Sequence, residues 1–189
     1  MKIFILLGNP DKDTTSGHFV DHYERGAREA GHEVRRTNIG EMKFDPILHF
    51  GYKVIQPFEP DIVKMQEDIK WAEHFVILYP VWWSTMPAIL KGLFDRMWMP
   101  GFAFKFFPDG LRWHRLLKGK TSRIFVTSDS MPLISRIVFG DTTNEIRKGI
   151  LWFSGISASV KKIGPLKRIS DIKKEKWNQK FYNWGKRGY

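Results

Sequence analysis

The stretch Phe75-Val76-Ile77-Leu78-Tyr79-Pro80-Val81-Trp82-Trp83-Ser84-Thr85-Met86-Pro87-Ala88-Ile89-Leu90-Lys91-Gly92-Leu93-Phe94-Asp95-Arg96 decides the fold. Its first residues are a short apolar run of the kind that forms a strand buried on both faces. A segment of helical periodicity comes next, opening at Pro87, a residue suited to a first helical turn. Two adjacent tryptophans therefore sit in a loop at the carboxyl end of a strand. In open α/β sheets that is where ligands bind. Such a loop offers backbone N–H groups, flat apolar surface and the Ser84 hydroxyl, which suit a planar ring with polar edges.

The same alternation extends in both directions. Strands are expected at Lys2–Leu7, Glu33–Ile39, His74–Tyr79, Ser122–Ser128 and Ala158–Ile163. Helices are expected at Thr15–Ala30, ended by Gly31, and at Asp61–Ala72, Pro87–Met99, Thr142–Phe153 and Asp171–Tyr182. Strand–helix alternation implies an α/β fold with a parallel sheet and helices on both faces. Five strands suit the doubly wound order 2-1-3-4-5. Two connections are long, Gly40–Pro60 and Pro100–Thr121, and long loops in compact domains are often functional. No linker or repeat interrupts the chain, so one domain over residues 1–189 is expected, with a basic closing helix from about residue 171.

Of 189 residues, 42% are hydrophobic and 27% charged, the balance of a soluble globular protein. No apolar run is long enough to span a bilayer. The opening Met-Lys-Ile-Phe-Ile-Leu-Leu-Gly reads as a buried strand rather than a signal peptide, since it ends in Gly-Asn-Pro-Asp. Without cysteine there is no disulfide framework and no thiolate chemistry, and cytoplasmic residence is expected. The net charge of +11 is uneven: residues 1–100 carry 12 Lys/Arg and 14 Asp/Glu, residues 101–189 carry 19 and 6. The basic residues of Arg112–Lys120, Lys161–Arg168 and Lys173–Arg187 form either a solvated face or a surface attractive to phosphorylated cofactors or other anions. The strand-anchored Trp pair argues against use of these aromatics for nucleic-acid stacking. His18, His49 and His114 have no partner at metal-ligand spacing, and no nucleophile elbow or paired-carboxylate signature is present. Neither a metal nor a covalent nucleophile is expected.

After the first strand comes Gly8-Asn9-Pro10-Asp11-Lys12-Asp13-Thr14-Thr15-Ser16-Gly17, and then a helix. A helix N-terminus exposes unpaired N–H groups and partial positive charge. With hydroxyls beside it, this is either an anion site for phosphate or pyrophosphate or ordinary capping by Thr or Ser. The Gly-x-Gly-x-x-Gly dinucleotide fingerprint is absent. After the fourth strand comes Thr127-Ser128-Asp129-Ser130-Met131-Pro132, a hydroxyl-rich loop without glycine.

The Pro80–Arg96 stretch resembles the flavin-contacting loop and following helix of the NAD(P)H:quinone oxidoreductases, the DT-diaphorase-like branch of the flavodoxin-like fold. The shared pattern is a Pro-apolar-x-Trp-aromatic run, then Pro-Ala-x-Leu-Lys-Gly and an acidic residue before Arg. Motif order extends the likeness over roughly residues 1–165. The resemblance implies a flavoprotein in which hydride passes from a nicotinamide to flavin N5 and on to a quinone-like aromatic acceptor, the two substrates using one pocket in turn. It implies that Pro80, Val81, Trp82, Trp83 and Ser84 hold the flavin ring by their backbone, with the tryptophans as walls. Asn9, Thr14, Thr15 and Ser16 take the phosphates, with Asn9 where the family has His. Gln66 resembles a family glutamine near the phosphates, and Thr127, Ser128 and Asp129 face the pyrimidine edge. FAD is the expected cofactor, with FMN as the alternative; the positive balance of residues 101–189, not the resemblance, favours NADPH over NADH as co-substrate.

The chain departs from the family in Ile137-Val138-Phe139-Gly140-Asp141. Phe139 stands where a proton-relay His is expected, and no Tyr precedes it. Gly101-Phe102-Ala103-Phe104-Lys105-Phe106 is similar to a family segment whose aromatics close over the neighbouring subunit's flavin pocket. That likeness implies a homodimer with composite sites, in which Trp83, Phe104 and Phe106 contact the reacting rings. Pro100-Gly101 and Pro108-Asp109-Gly110 bracket the segment as a loop, although its period-two apolar face also fits an aromatic core strand. A second functional reading from the same resemblance is a flavin-binding regulatory subunit docked on an ion-efflux channel.

Overall fold

A computed structural model describes residues 1–167 and 169–189; Arg168, the end of one basic stretch, lies outside the described residues. The first βαβ unit runs β1 (Lys2–Leu7), α1 (Thr15–Glu29), β2 (Glu33–Asn38). Next are α2 (Pro60–Trp71), β3 (His74–Pro80) and α3 (Ala88–Met97). A hairpin of β4 (Phe104–Phe106) and β5 (Trp113–Arg115) precedes β6 (Thr121–Thr127) and α4 (Pro132–Phe139). A π-helix (Glu145–Trp152), β7 (Ser157–Ile163) and α5 (Asp171–Arg187) complete the chain. The main sheet has the order β2-β1-β3-β6-β7 with every pairing parallel. This is the expected flavodoxin-like doubly wound order.

Each central strand is apolar on both faces because helices cover both. Alternate residues separate into two cores. Phe4, Leu6, Phe75, Ile77 and Tyr79 point toward α2, α3 and the π-helix. Ile3, Ile5, Leu7, Val76 and Leu78 point toward α1 and α5. Strand order reverses between β1 and β3: β1 leads away to β2 on one side, and β3 leads to β6 on the other. The crevice at that reversal, at the carboxyl ends of the strands, is the ligand-binding position of this architecture.

Three elements differ from the sequence expectation. Residues 104–106, expected within a loop, pair antiparallel with Trp113–Arg115. The bracketing Pro108-Asp109-Gly110 is the turn of that hairpin: Gly110 takes φ +67°, and Asp109 Oδ1 accepts from the N–H groups of Leu111 at 2.9 Å and Arg112 at 3.1 Å. Pro132–Phe139, to which the sequence pattern assigned no element, is a helix with no buried residue. The expected helix Thr142–Phe153 is wound as a π-helix over Glu145–Trp152. Its buried residues are Ile146 and Leu151, five apart as the wider turn requires.

The Gly40–Pro60 connection is fastened by Arg96. Its side chain is 1% exposed. Its guanidinium donates to the carbonyls of Asp45 and Pro57, and reaches Glu59 Oε2 at 2.8 Å. Burial alone would push the Glu59 carboxyl up; hydrogen bonds from the Asp45 N–H and from Arg96 outweigh it and hold the group below its ordinary value. A cation fixed in this way is costly to leave unpaired, so Arg96 and Glu59 act as a unit.

Candidate functional site

The loops after β1, β3 and β6 open onto one cavity of about 760 Å3. Asn9, Thr14, Thr15, Ser16, Pro80, Val81, Trp82, Trp83, Ser84, Thr127, Ser128 and Asp129 all line it. Twelve residues chosen on three separate loops therefore share one wall, because the strands carrying them are neighbours at the reversal of strand order.

The first loop ends in a helix start with unpaired donors. Thr14 caps α1, accepting from Gly17 N at 3.3 Å, and is held by Asn9 Nδ2 at 3.1 Å. Asn9 Oδ1 in turn accepts from Asp11 N at 3.2 Å. The chain folds so closely over this turn that a Cβ on Gly17 would stand 1.8 Å from the Lys12 carbonyl oxygen; only glycine fits. The N–H groups of Thr15 and Ser16 have no acceptor among the described residues. Ser16 Oγ is not free: it pairs with Thr127 Oγ1 at 3.1 Å in a buried contact that ties the first loop to the third. Of the hydroxyls expected to meet phosphate, Thr15 alone is uncommitted. The two open N–H groups and the helix dipole together suit an anion.

The second loop is a strained turn. Trp82 and Thr85 exchange backbone hydrogen bonds at 2.9 and 3.1 Å, and between them Trp83 and Ser84 adopt φ +48° and +66°. Two positive φ values define a type I′ turn, which glycine and asparagine ordinarily supply. Left-handed backbone costs a non-glycine residue about 1–2 kcal/mol. The sequence pattern assigned all of Val81–Ser84 to the ring edge. The N–H of Val81 donates instead to Thr127 O at 2.7 Å, prolonging the sheet, and that of Trp82 closes the turn. The N–H groups of Trp83 and Ser84 have no acceptor among the described residues. Thr85 Oγ1 donates to Glu145 Oε1 at 2.7 Å and anchors the turn to the π-helix.

The third loop leans on a fourth that sequence reading missed. Ser128 N donates to Ile163 O, and Leu166 N to Ser128 O, each at 3.0 Å. A Cβ on Gly164 would lie 2.5 Å from Ser130 O. The glycine absent from the loop after β6 is thus supplied by the loop after β7. Leu166, Lys167 and Lys162 line the cavity from this side. Their only trace in the sequence was the basic run beginning at Lys161. Lys162 Nζ lies 3.3 Å from Asp141 Oδ1. Burial raises the Asp141 carboxyl, but Thr143 and Lys162 outweigh that and hold it below its ordinary value. Phe139 also lines the cavity, while no His or Tyr does among the described residues.

The remaining candidates lie elsewhere. Gln66, Phe104 and Phe106 line a second, aromatic cavity of about 980 Å3, which has no lining residue in common with the first. Gln66 was expected beside the phosphate loop. It donates to the Met97 carbonyl at 2.8 Å at the end of α3, because α2 packs on the sheet face opposite α1. Phe104 packs edge-on against Phe153 at 5.1 Å and Phe106 at 5.3 Å. Within one chain neither phenylalanine reaches the first cavity. Among the described residues no cluster of three or more His, Asp or Glu forms that suits a metal ion.

The first cavity can take a flat, phosphorylated ligand: open N–H donors at one end, open N–H donors beside indole surface at the other. A family model described as flavodoxin-like fold matches residues 1–163, and the chain belongs to that family. It is 31% identical over 136 residues to a Haemophilus influenzae protein named uncharacterized NAD(P)H oxidoreductase, covering 69% of this chain and 65% of that one. The match thus spans just under two thirds of that relative. Among solved structures, Smu.1420 from Streptococcus mutans UA159 superposes with a TM-score of 0.85 at 26% identity, covering 99% of this chain and 100% of that one. The NAD(P)H:quinone oxidoreductase from Methanothermobacter marburgensis gives 0.82 at 20% identity, covering 99% and 98%, and shows the same fold.

Proposed function

We propose that this chain is a flavin-dependent NAD(P)H oxidoreductase that reduces a quinone or similar aromatic acceptor. One observation carries the reading: the open N–H groups of Thr15 and Ser16 and those of Trp83 and Ser84 face a single cavity. A phosphate at the first pair and a polar-edged ring at the second satisfy groups that otherwise lack partners. The oxidoreductase relative supports the same reaction class. No observation favours docking on an ion channel.

In this reading Thr15 and Ser16 bind phosphate, and Asn9 positions the Thr14 cap that shapes the loop. Trp83 and Ser84 donate to the ring edge, Trp82 and Phe139 give apolar walls that displace water, and Thr127 and Ser128 hold the loop that meets the pyrimidine edge. Bound there, the flavin supplies reversible hydride acceptance. Among the described residues no His or Tyr lines this cavity. FAD remains the first choice of flavin and FMN the alternative. A hollow of about 570 Å3 beside the cavity, lined by Arg136, Arg147 and Lys162 with Asp141, supports preference for NADPH, whose extra phosphate suits a cationic wall. Equal catalytic efficiency with NADH would defeat that preference. Phe106, 48% exposed on the second cavity, is available to a neighbouring copy. The composite-site homodimer is therefore kept as part of the proposal, tested by sedimentation of the active species, and cytoplasmic residence goes with it.

The deciding experiment is reconstitution. Purified protein titrated with FAD and with FMN should show visible flavin bands and quenched flavin emission, then oxidise NADPH in the presence of a quinone. A chain that binds neither flavin would end the proposal.

A further inference from the structure

The turn that carries Trp83 and Ser84 is fastened firmly at its ends and lightly at its tip. At the entrance the Val81 N–H donates to Thr127 O at 2.7 Å. At the exit Met86 is buried in the core. Between them, among the described residues, the backbone makes only the reciprocal Trp82–Thr85 pair. Trp83 and Ser84 stand inside that pair at φ +48° and +66°. Neither is a glycine or asparagine, which would adopt this geometry readily. Relaxation of either residue to negative φ would re-aim its N–H group.

One side chain from outside the turn holds the tip. Thr85 Oγ1 donates to Glu145 Oε1 at 2.7 Å, across 60 positions of sequence. It is the one side-chain hydrogen bond that either residue makes among the described residues. Its acceptor is a carboxylate, and a charge-assisted bond is comparable in strength to the cost of left-handed backbone. Glu145 itself stands on a firm base. It is the first residue of the π-helix, where unpaired N–H groups favour a negative charge. Just upstream, Asp141 Oδ1 accepts from Thr143 N at 3.1 Å and from Thr143 Oγ1 at 2.6 Å. Thr143 and Ile146, on either side of Glu145, are both buried. The turn therefore takes its position from the π-helix, and not the reverse. Glu145 also lines the aromatic cavity, so a residue on the wall of the second cavity sets the donors of the first.

We propose that Glu145 is a positioning residue: through Thr85 it keeps the Trp83–Ser84 turn left-handed, so that both N–H groups face the place of the flavin ring. Its part in flavin binding rests on the proposed function; its hold on the turn does not. The bond lies within one chain and is compatible with the composite-site homodimer.

The test sets Thr85→Val and Glu145→Ala, which delete the bond, against Thr85→Ser and Glu145→Gln, which keep a hydroxyl donor and an oxygen acceptor. Hydrogen exchange of the Trp82 and Thr85 amides is read by NMR without flavin, and affinity for FAD and for FMN by fluorescence titration. In the deleting pair both amides should exchange about three- to tenfold faster, and flavin affinity should fall by a similar factor. Exchange in the buried strand β3 should not change, which separates a loosened turn from a loosened fold. The conservative pair should restore most of both quantities. Unchanged exchange at Trp82 and Thr85 in the deleting pair would overturn the proposal whether or not flavin binds. So would faster exchange with unchanged flavin affinity, because the turn would then have no part in placing the ring. A Glu145→Gln variant as impaired as Glu145→Ala would assign the effect to charge and overturn the hydrogen-bonded hold. Wild-type protein that binds neither flavin, with exchange still faster in the deleting pair, would end the proposed function while the hold on the turn stood.

Discussion

The two faces of the sheet are finished to different standards. On the α1/α5 face, Gly26 and Gly185 bring two helix backbones together so closely that a Cβ on either would stand 2.1 or 2.0 Å from a carbonyl oxygen of the opposite helix. Phe19 stacks on Phe181 at 4.8 Å, and Phe125 meets Phe181 at 4.5 Å and Trp184 at 5.1 Å. On the other face, α2, α3 and the π-helix enclose an aromatic cavity of about 980 Å3 that the chain leaves unfilled. The difference teaches where stability and function separate. The sealed face gives up nothing, and the unfilled aromatic surface lies on the other.

The largest expected effect breaks the sealed face. Gly185→Ala drives a methyl into the Tyr23 carbonyl of α1, and backbone cannot yield as a side chain can. Overpacking of this kind should cost about 3 kcal/mol, read from denaturant midpoints. A loss near zero would mean that the helices separate freely and that the seal is an illusion.

Next comes the amino-terminal edge of the sheet, closed where the carboxyl edge is open. Burial, with a smaller effect of Arg123, lowers the His74 imidazole from 6.5 to about 4. Its Nδ1 lies 2.7 Å from Thr121 Oγ1, and its Nε2 is buried without a partner. Between those two values the unfolded chain is protonated and the folded chain is not. Stability is therefore full above about pH 6.5 and falls as the pH drops toward 4, by about 3 kcal/mol. In His74→Phe that part of the pH dependence should disappear; persistence of the full slope would place it on other groups.

The central strands were legible because a doubly covered strand must be largely apolar, a pattern that short runs such as Phe75–Leu78 make plain, whereas the polar edge strands β2 and β7 were placed by the alternation of strand and helix. The three loops that line the first cavity were legible because each begins where a central strand ends. The hairpin was not. Its strands have three residues each, and its Phe104 meets Phe153, 49 positions away, which no local pattern encodes. Helix α4 was missed because its eight residues, opening on Pro132 directly after a hydroxyl-rich loop, are too short a run to establish a helical period. That Gln66 lines a different cavity from the phosphate loop within one chain was not legible, because a sequence does not say which sheet face a helix covers. The capture of the Val81 and Trp82 N–H groups by the sheet and the turn is likewise invisible until the backbone is traced.

The helix start offers a sharper test of the open rim. Thr15 is the first residue of α1, and Thr14 before it is extended, with φ −126° and ψ 168°. Proline is welcome at that first position, and the residue before it is already in the conformation that proline requires. Thr15→Pro therefore deletes one open N–H and the one uncommitted hydroxyl while leaving the helix intact. Flavin affinity should fall by about 2 kcal/mol, the worth of a hydrogen bond to a charged group, with no loss of thermal stability. Unchanged affinity by fluorescence titration would remove this loop from the site.

The smallest effect returns to the two faces, through a second helical glycine. Gly149 lies in the π-helix on the wall of the aromatic cavity, and a Cβ there would meet nothing within 4 Å. It is not among the residues with positive φ. Alanine at this position removes conformational freedom from the unfolded chain and crowds no neighbour, so Gly149→Ala should stabilise the protomer by about 0.5–1 kcal/mol. The same substitution in Gly185 is expected to do the reverse, which makes the pair a direct comparison of the two faces under identical chemistry. It also reads the cavity's occupant. If a second copy fills the aromatic cavity, the added methyl meets that copy, and sedimentation should show weaker self-association even as the protomer melts higher. If the cavity stays open to solvent, assembly is unchanged and only the stability gain is seen. A destabilised protomer would mean that the wall is already as tightly packed as the α1/α5 seam, and the contrast between the faces would fail.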